Sequence, residues 1–165
     1  MGKTLQALIT WLNLSDIPAK ARKPYIQAFS DINCAWINEY FVLEDKDKKT
    51  LGDPETYVLK LGGEVLFGCI NNEVAVTCCV LKINNDLYEL SKMGVAKAYK
   101  GQGLASLLVP QAIATATRKG AKTLFLESNR RLTNALAIYE RHGFREVPMQ
   151  ETPYARADIR MEITL

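Results

Sequence analysis

Between Glu64 and Ala96 three apolar stretches, EVLFGCI, EVAVTCCVLKI and LYELSKMGVA, are separated only by Asn71-Asn72 and by Asn84-Asn85-Asp86. Turns of two or three residues leave no room for a crossover, so the three predicted strands pair antiparallel. The order then changes. Two close glycines lead into an apolar helix-like stretch from about Gly103 to Lys119, and the next strand-like run is KTLFLES. A hairpin-linked set of strands followed by strands alternating with helices predicts one α+β domain built on a mixed sheet.

The remaining segments fit that frame. From Pro24 to about Phe41 the spacing of Tyr25, Ile26, Phe29, Ile32, Trp36, Ile37 and Tyr40 is helical, and Pro24 suits a first turn. GDPETYVLKLGG reads as a short helix with Asp53 as N-cap and Gly62 near its end. TNALAIYERH reads as a helix stopped by Gly143, followed by a short strand from Phe144 and a last strand, ARADIRMEIT. Pro110 falls inside the Gly103 to Lys119 helix, where it costs about 3 kcal/mol or forces a kink. The first twenty residues fit a helix through Leu5, Leu8, Ile9 and Leu12, or a strand through Leu5, Ala7, Ile9 and Trp11. No repeat, low-complexity tract or linker divides the 165 residues, so the whole chain, 1–165, is expected to be one domain.

Charge excludes some functions. Twenty-one basic against 18 acidic residues leave a net charge of +3, too small an excess for nucleic-acid binding without a concentrated basic patch. The densest run, EDKDKK at 44–49, mixes both signs and is expected to be a solvated loop. No apolar run approaches the roughly 18 residues a membrane helix requires, and the opening MGKTLQ has Gln6 where a myristoylation signal wants Ser or Thr. The cytoplasm is the expected compartment. The four cysteines, Cys34, Cys69, Cys78 and Cys79, have no C-x-x-C spacing, and a single histidine, His142, does not complete a metal cluster with them, so no metal site is predicted. Cys78 and Cys79 are adjacent in a strand, point to opposite faces and suit a role as small buried hydrophobes.

The segment MGVAKAYKGQGLASLL, residues 93–108, carries the functional signal. A strand entering two glycines and then a helix turns successive backbone N–H groups, and the positive end of the helix dipole, toward one point, which suits a phosphate. The P-loop spacing is absent, and G-x-G-x-x-G is incomplete because Ser106 stands at the third glycine's place.

This stretch resembles the pyrophosphate loop of the GNAT (Gcn5-related N-acetyltransferase) family, Q/R-x-x-G-x-G/A after a strand ending in a Val-type residue. Here Val95 precedes KGQGLA, and Lys100 stands at the first position. A second stretch, LFLESNRRLTNALAIYERHGFREV, is similar to the family's later motif, with Asn134, Ala137, Tyr139, Gly143 and Phe144 in register. The two motifs span about residues 87–147. The resemblance implies a GNAT fold, with a mixed, mostly antiparallel central sheet and helices on both faces, and transfer of acetyl from acetyl-CoA to an amine. It assigns the CoA pyrophosphate to Lys100, Gly101, Gln102, Gly103, Leu104 and Ala105. Met93, Gly94, Val95, Asn134 and Ala137 fall to the pantetheine arm, with Tyr139 nearby.

An alkyl ammonium must lose a proton before it attacks a thioester, and the departing thiolate gains from receiving one. The resemblance makes Glu89 the leading base, acting through water, with Glu127 its rival, and Tyr139 the acid. Asn33, Trp36, Glu127, Asn129, Tyr154 and Arg156 are the candidates for the acceptor side. The acceptor is expected to be a small-molecule or protein amine. His142, in the last turn before Gly143, suits a helix C-terminus. In this family a final strand can pair across a homodimer. A catalytically silent acyl-CoA-binding or protein-interaction module with the same fold is the alternative.

Overall fold

A computed structural model describes residues 8–165. Seven strands form one sheet in the order β1-β2-β3-β4-β5-β7-β6, with β1 Thr10–Asn13, β2 Glu64–Ile70, β3 Glu73–Lys82, β4 Leu87–Val95, β5 Thr123–Ser128, β6 Arg145–Val147 and β7 Ile159–Thr164. Every neighbouring pair is antiparallel except β4 and β5, which run parallel. The hairpin turns expected between Glu64 and Ala96 are present, and Asn71 and Asn72 adopt the positive φ of 51° and 63° that a tight turn requires. Thr10–Asn13 is a strand, so Trp11 follows the strand alternative; Leu5 and the MGKTLQ opening lie outside the described residues.

Two apolar clusters lie on the two faces of the sheet. Cys78, Tyr88, Leu90, Leu124 and Leu126 pack with the helix Leu104–Arg118 on one face, while Val65, Phe67, Cys79 and Leu81 pack with Phe29, Ile37 and Leu51 on the other. The helices are α1 Lys23–Tyr40, α2 Asp45–Gly52, α3 Leu104–Arg118 and α4 Thr133–Arg141. Cys78 and Cys79 thus divide between the faces as strand alternation demands.

Three local expectations are corrected or resolved. EDKDKK is not a loop: Asp45–Gly52 is helical, started by a capping box in which Glu44 and Asp47 each bond the other's backbone N–H. Asp53 accepts a hydrogen bond from the Thr56 N–H at 3.1 Å, as an N-cap should, but the segment that follows, Glu55–Leu59, winds as a π-helix. Pro110 stays within a continuous α3. It is exposed, and the carbonyl that it leaves without a donor belongs to half-buried Ser106, where solvent is the alternative partner.

The final strand β7 is flanked on both sides, by β5 and β6. β6 covers only Arg160–Glu162 of it, and the sheet ends on that side at the three residues of β6. No helix among the described residues is long and apolar enough to cross a membrane.

Candidate active site

The parallel ladder between β4 and β5 covers only Leu87–Glu89 against Thr123–Phe125. Beyond it the two strands part, and the side of β4 that faces β5 has no strand partner from Leu90 to Val95. On its other side, β4 stays paired with β3, with one extra residue between the Thr77–Gly94 and Cys79–Ser91 pairs. Lys92 occupies this bulge at φ 54°, a left-handed conformation rare for a side chain of this length. The parting strands open a cavity of about 470 Å³ that passes from the α3 and α4 face toward α1.

On the first face, Gly101 and Gly103 lead into α3 at φ 77° and 76°. A Cβ at either position would meet nothing within 4 Å, so it is the backbone angle rather than space that demands glycine there. No side chain caps the start of α3, which leaves its first N–H groups free for a ligand. Asn134 lies in the first turn of α4 and lines the cavity; no side chain caps that helix either. Tyr139 is 7% exposed, packs edge-on to Phe144 at 5.9 Å and lines the same cavity. Burial pushes its phenol above the ordinary range, so it stays protonated at neutral pH.

The opposite wall, lined by Lys92, Tyr154 and Arg156, is backed by a charge network. Asp47, fully buried, receives both Arg156 guanidinium nitrogens at 2.7 and 2.8 Å and Lys92 Nζ at 2.8 Å. Lys92 Nζ also donates to the Tyr154 hydroxyl at 2.9 Å, and Arg156 reaches Glu44 at 3.2 Å. Burial alone would raise the Asp47 pKa, but the Arg156 and Lys92 contacts outweigh it and hold the carboxyl at about 2. Glu89 is 3% exposed, and burial raises its pKa, with nearby Glu127 adding to the rise. No ion pair or hydrogen bond reaches its carboxylate among the described residues.

A family model described as "Acetyltransferase (GNAT) family" matches residues 11–144. The chain belongs to the GNAT acetyltransferase family. It is 38% identical over 63 residues to the uncharacterized N-acetyltransferase YjgM of Escherichia coli K12, a match spanning 38% of each chain. A GNAT-family acetyltransferase from Staphylococcus aureus Mu50 has the same fold, with a TM-score of 0.78 and 17% identity over 94% of this chain and 98% of that one. So has a GNAT acetyltransferase from Elizabethkingia anophelis with acetyl-CoA bound, at a TM-score of 0.69 and 22% identity over 96% and 99% of the two chains.

Set within the GNAT fold, most of the residues singled out in the sequence meet in one cavity. Glu89, Met93, Gly94, Val95, Lys100, Gly101, Ala105, Glu127, Asn129, Asn134, Tyr139, Tyr154, Arg156 and Trp36 all line it. Gln102, Gly103 and Ala137 are exposed outside it, Leu104 is buried beneath it, and Asn33 does not reach it. Asn33 instead accepts the Trp36 indole N–H at 2.9 Å and so fixes the ring that does. Gly94 has a steric reason as well, since a Cβ there would come within 2.8 Å of Ile32 and 3.0 Å of Trp36. Asn129 ties the β5–α4 loop to the Arg156 carbonyl at 2.8 Å. His142 is the C-cap residue of α4, as its position suggested, and its Nε2 lies 3.0 Å from Ser106 Oγ. Lys92, Asp47 and Arg131 escaped the sequence reading. The only hint of Asp47 is its three-residue spacing from Glu44.

Proposed function

We propose that this GNAT protein transfers the acetyl group of acetyl-CoA to an amine bound in the cleft. The observation that carries the reading is the opening of the sheet beyond Glu89, which joins an uncapped helix start behind two positive-φ glycines to a buried carboxylate and a buried phenol. Backbone N–H groups from Gly101 to Ala105 would hold the pyrophosphate, aided by Lys100. The unpaired edge of Met93 to Val95 and the Asn134 amide would hold the pantetheine arm. When bound, acetyl-CoA supplies an acetyl group activated as a thioester.

Glu89, poised above the usual carboxylate range, takes the proton of the attacking ammonium through a water. The amine nitrogen then bonds to the acetyl carbon as the carbon–sulfur bond breaks, the Tyr139 hydroxyl protonates the departing thiolate, and the second proton shed by the nitrogen passes through water to restore the phenol. Backbone N–H groups of β4 would stabilise charge on the carbonyl oxygen. We place this activity in the cytoplasm, on a small-molecule or protein amine.

The test is thermal unfolding with excess acetyl-CoA, against ATP and NAD as controls, followed by CoA release with a panel of amines. Saturation at about 100 times Kd adds roughly 2.7 kcal/mol, a rise of several degrees in Tm. A rise specific to acetyl-CoA with amine-dependent CoA release supports transfer. A rise without CoA release on any amine supports a silent binding module, and no rise at millimolar acetyl-CoA overturns both.

A further inference from the structure

The acceptor half of the cleft has an unusual balance of charge. Glu89 and Phe125 are register partners, and Glu127 stands two residues further along β5, roughly 7 Å on and on the same face. Neither Glu89 nor Glu127 has an ion pair or a hydrogen-bond donor among the described residues, although both line the cavity. The Glu89 carboxylate opens on the cavity and no group among the described residues neutralises it there, so a cation entering the cleft meets an unpaired acceptor.

The nearby arginines and Lys92 are otherwise engaged. Lys92 is held by Asp47 and Tyr154, Arg156 by Asp47 and Glu44, and Arg160 by Glu162. Arg131 donates to the Tyr40 carbonyl at 3.2 Å and lies 5.4 Å from the Phe41 ring. Lys46 stands 5.4 Å above the Tyr154 ring and its charge opposes the rise in the Glu89 pKa, but among the described residues no protein cation comes within 4 Å of either carboxylate. Trp36, Tyr40, Phe41 and Tyr154 supply walls that suit methylene groups and ammonium ions.

We propose that the acceptor is an alkyl diamine or longer polyamine, with its reacting amine at Glu89 and its second ammonium held by Glu127. This rests on the acetyl-transfer reading above. A carbon chain of a few methylenes spans the distance between the two carboxylates. An α-amino acid fits poorly, because its own carboxylate, two bonds from the reacting amine, enters the field of both.

The experiment compares CoA release with 1,4-diaminobutane, n-butylamine and alanine, on the protein and on Glu127→Gln, with the acetyl-CoA Tm shift measured in parallel for both. The expected kcat/KM for the diamine exceeds that for butylamine by about tenfold, the size of a charge-assisted hydrogen bond to a half-buried carboxylate. Alanine falls below both. Glu127→Gln, still folded by its retained Tm shift, brings the diamine to within about twofold of butylamine.

A diamine advantage that survives Glu127→Gln, a butylamine rate equal to the diamine rate, or a preference for alanine overturns the diamine assignment while leaving acetyl transfer intact. Acetyl-CoA binding with no CoA release on any of the three also overturns it. Failure of acetyl-CoA to shift Tm at all removes the transfer reading itself.

Discussion

Arg156 grips Asp47 with two nitrogens, at 2.7 and 2.8 Å, and so fastens the segment ahead of β7 to the first turn of α2. That segment carries Tyr154, whose ring receives Arg156 at 4.7 Å and Lys92 at 4.5 Å. Arg156→Ala leaves a buried carboxylate with Lys92 as its remaining cationic partner. The expected loss is about 3 kcal/mol, read as a shifted denaturant midpoint and a Tm lower by roughly 6 to 12 °C.

The same carboxylate sets an acid limit on stability. With its pKa at about 2 in the fold against an ordinary 3.8, Asp47 binds its proton less readily folded than unfolded. Its contribution is therefore complete above about pH 4 and is lost as pH falls toward 2, at about 2 kcal/mol in all. Unfolding curves between pH 2 and 6 check this, and Asp47→Asn flattens the slope within that window.

Glu89 has the opposite sign. Its raised pKa means that the ionised carboxylate is tolerated less well in the fold than in the unfolded chain, so burial costs stability at neutral pH. Glu89→Gln is expected to raise Tm while lowering kcat/KM by about a hundredfold. The acid limb of the wild-type pH–rate profile, centred above the usual carboxylate range, disappears in the variant. A variant with wild-type kcat/KM, or with the acid limb retained, removes Glu89 from the base role.

Tyr139→Phe keeps the edge-on packing against Phe144 and removes a hydroxyl that bonds to nothing among the described residues. Tm is expected to change little, whereas kcat falls tenfold or more and KM for acetyl-CoA stays near its original value. Unchanged turnover with a good acceptor would place the acid elsewhere.

Gly101→Ala and Gly103→Ala separate backbone angle from space. Nothing obstructs a Cβ at either position, so the expected stability cost is the left-handed strain alone, about 1 kcal/mol each. The larger effect is on the donor site, seen as a smaller acetyl-CoA Tm shift. Gly94→Ala acts differently: its Cβ presses on Ile32 and Trp36, which disturbs the acceptor wall and leaves the loop at Gly101 intact.

The fold was legible where local chemistry and tertiary packing agree. The Asn-rich turns force hairpins, and two glycines at a strand end force a corner, whatever surrounds them. The charged helix α2 was hidden because its stabilising partners, Lys92 and Arg156, lie far along the chain and no apolar stripe announces it. Asn33 was misplaced by one link, since helical spacing sets it beside Trp36 without saying which of the two meets the cavity. Lys92 was hidden because a bulge is a property of two paired strands rather than of one sequence.

That extra residue in β4 has a consequence for how such a site can change. Substitutions at Trp36, Glu127 or Tyr154 alter the walls and leave the opening as it is. Deleting one residue at Lys92 would instead shift the phase of Met93 to Val95, exchanging the side chains shown to the donor with those shown to the acceptor. Acceptor preference can therefore drift by point substitution, while the passage through the sheet is retained or lost as a unit.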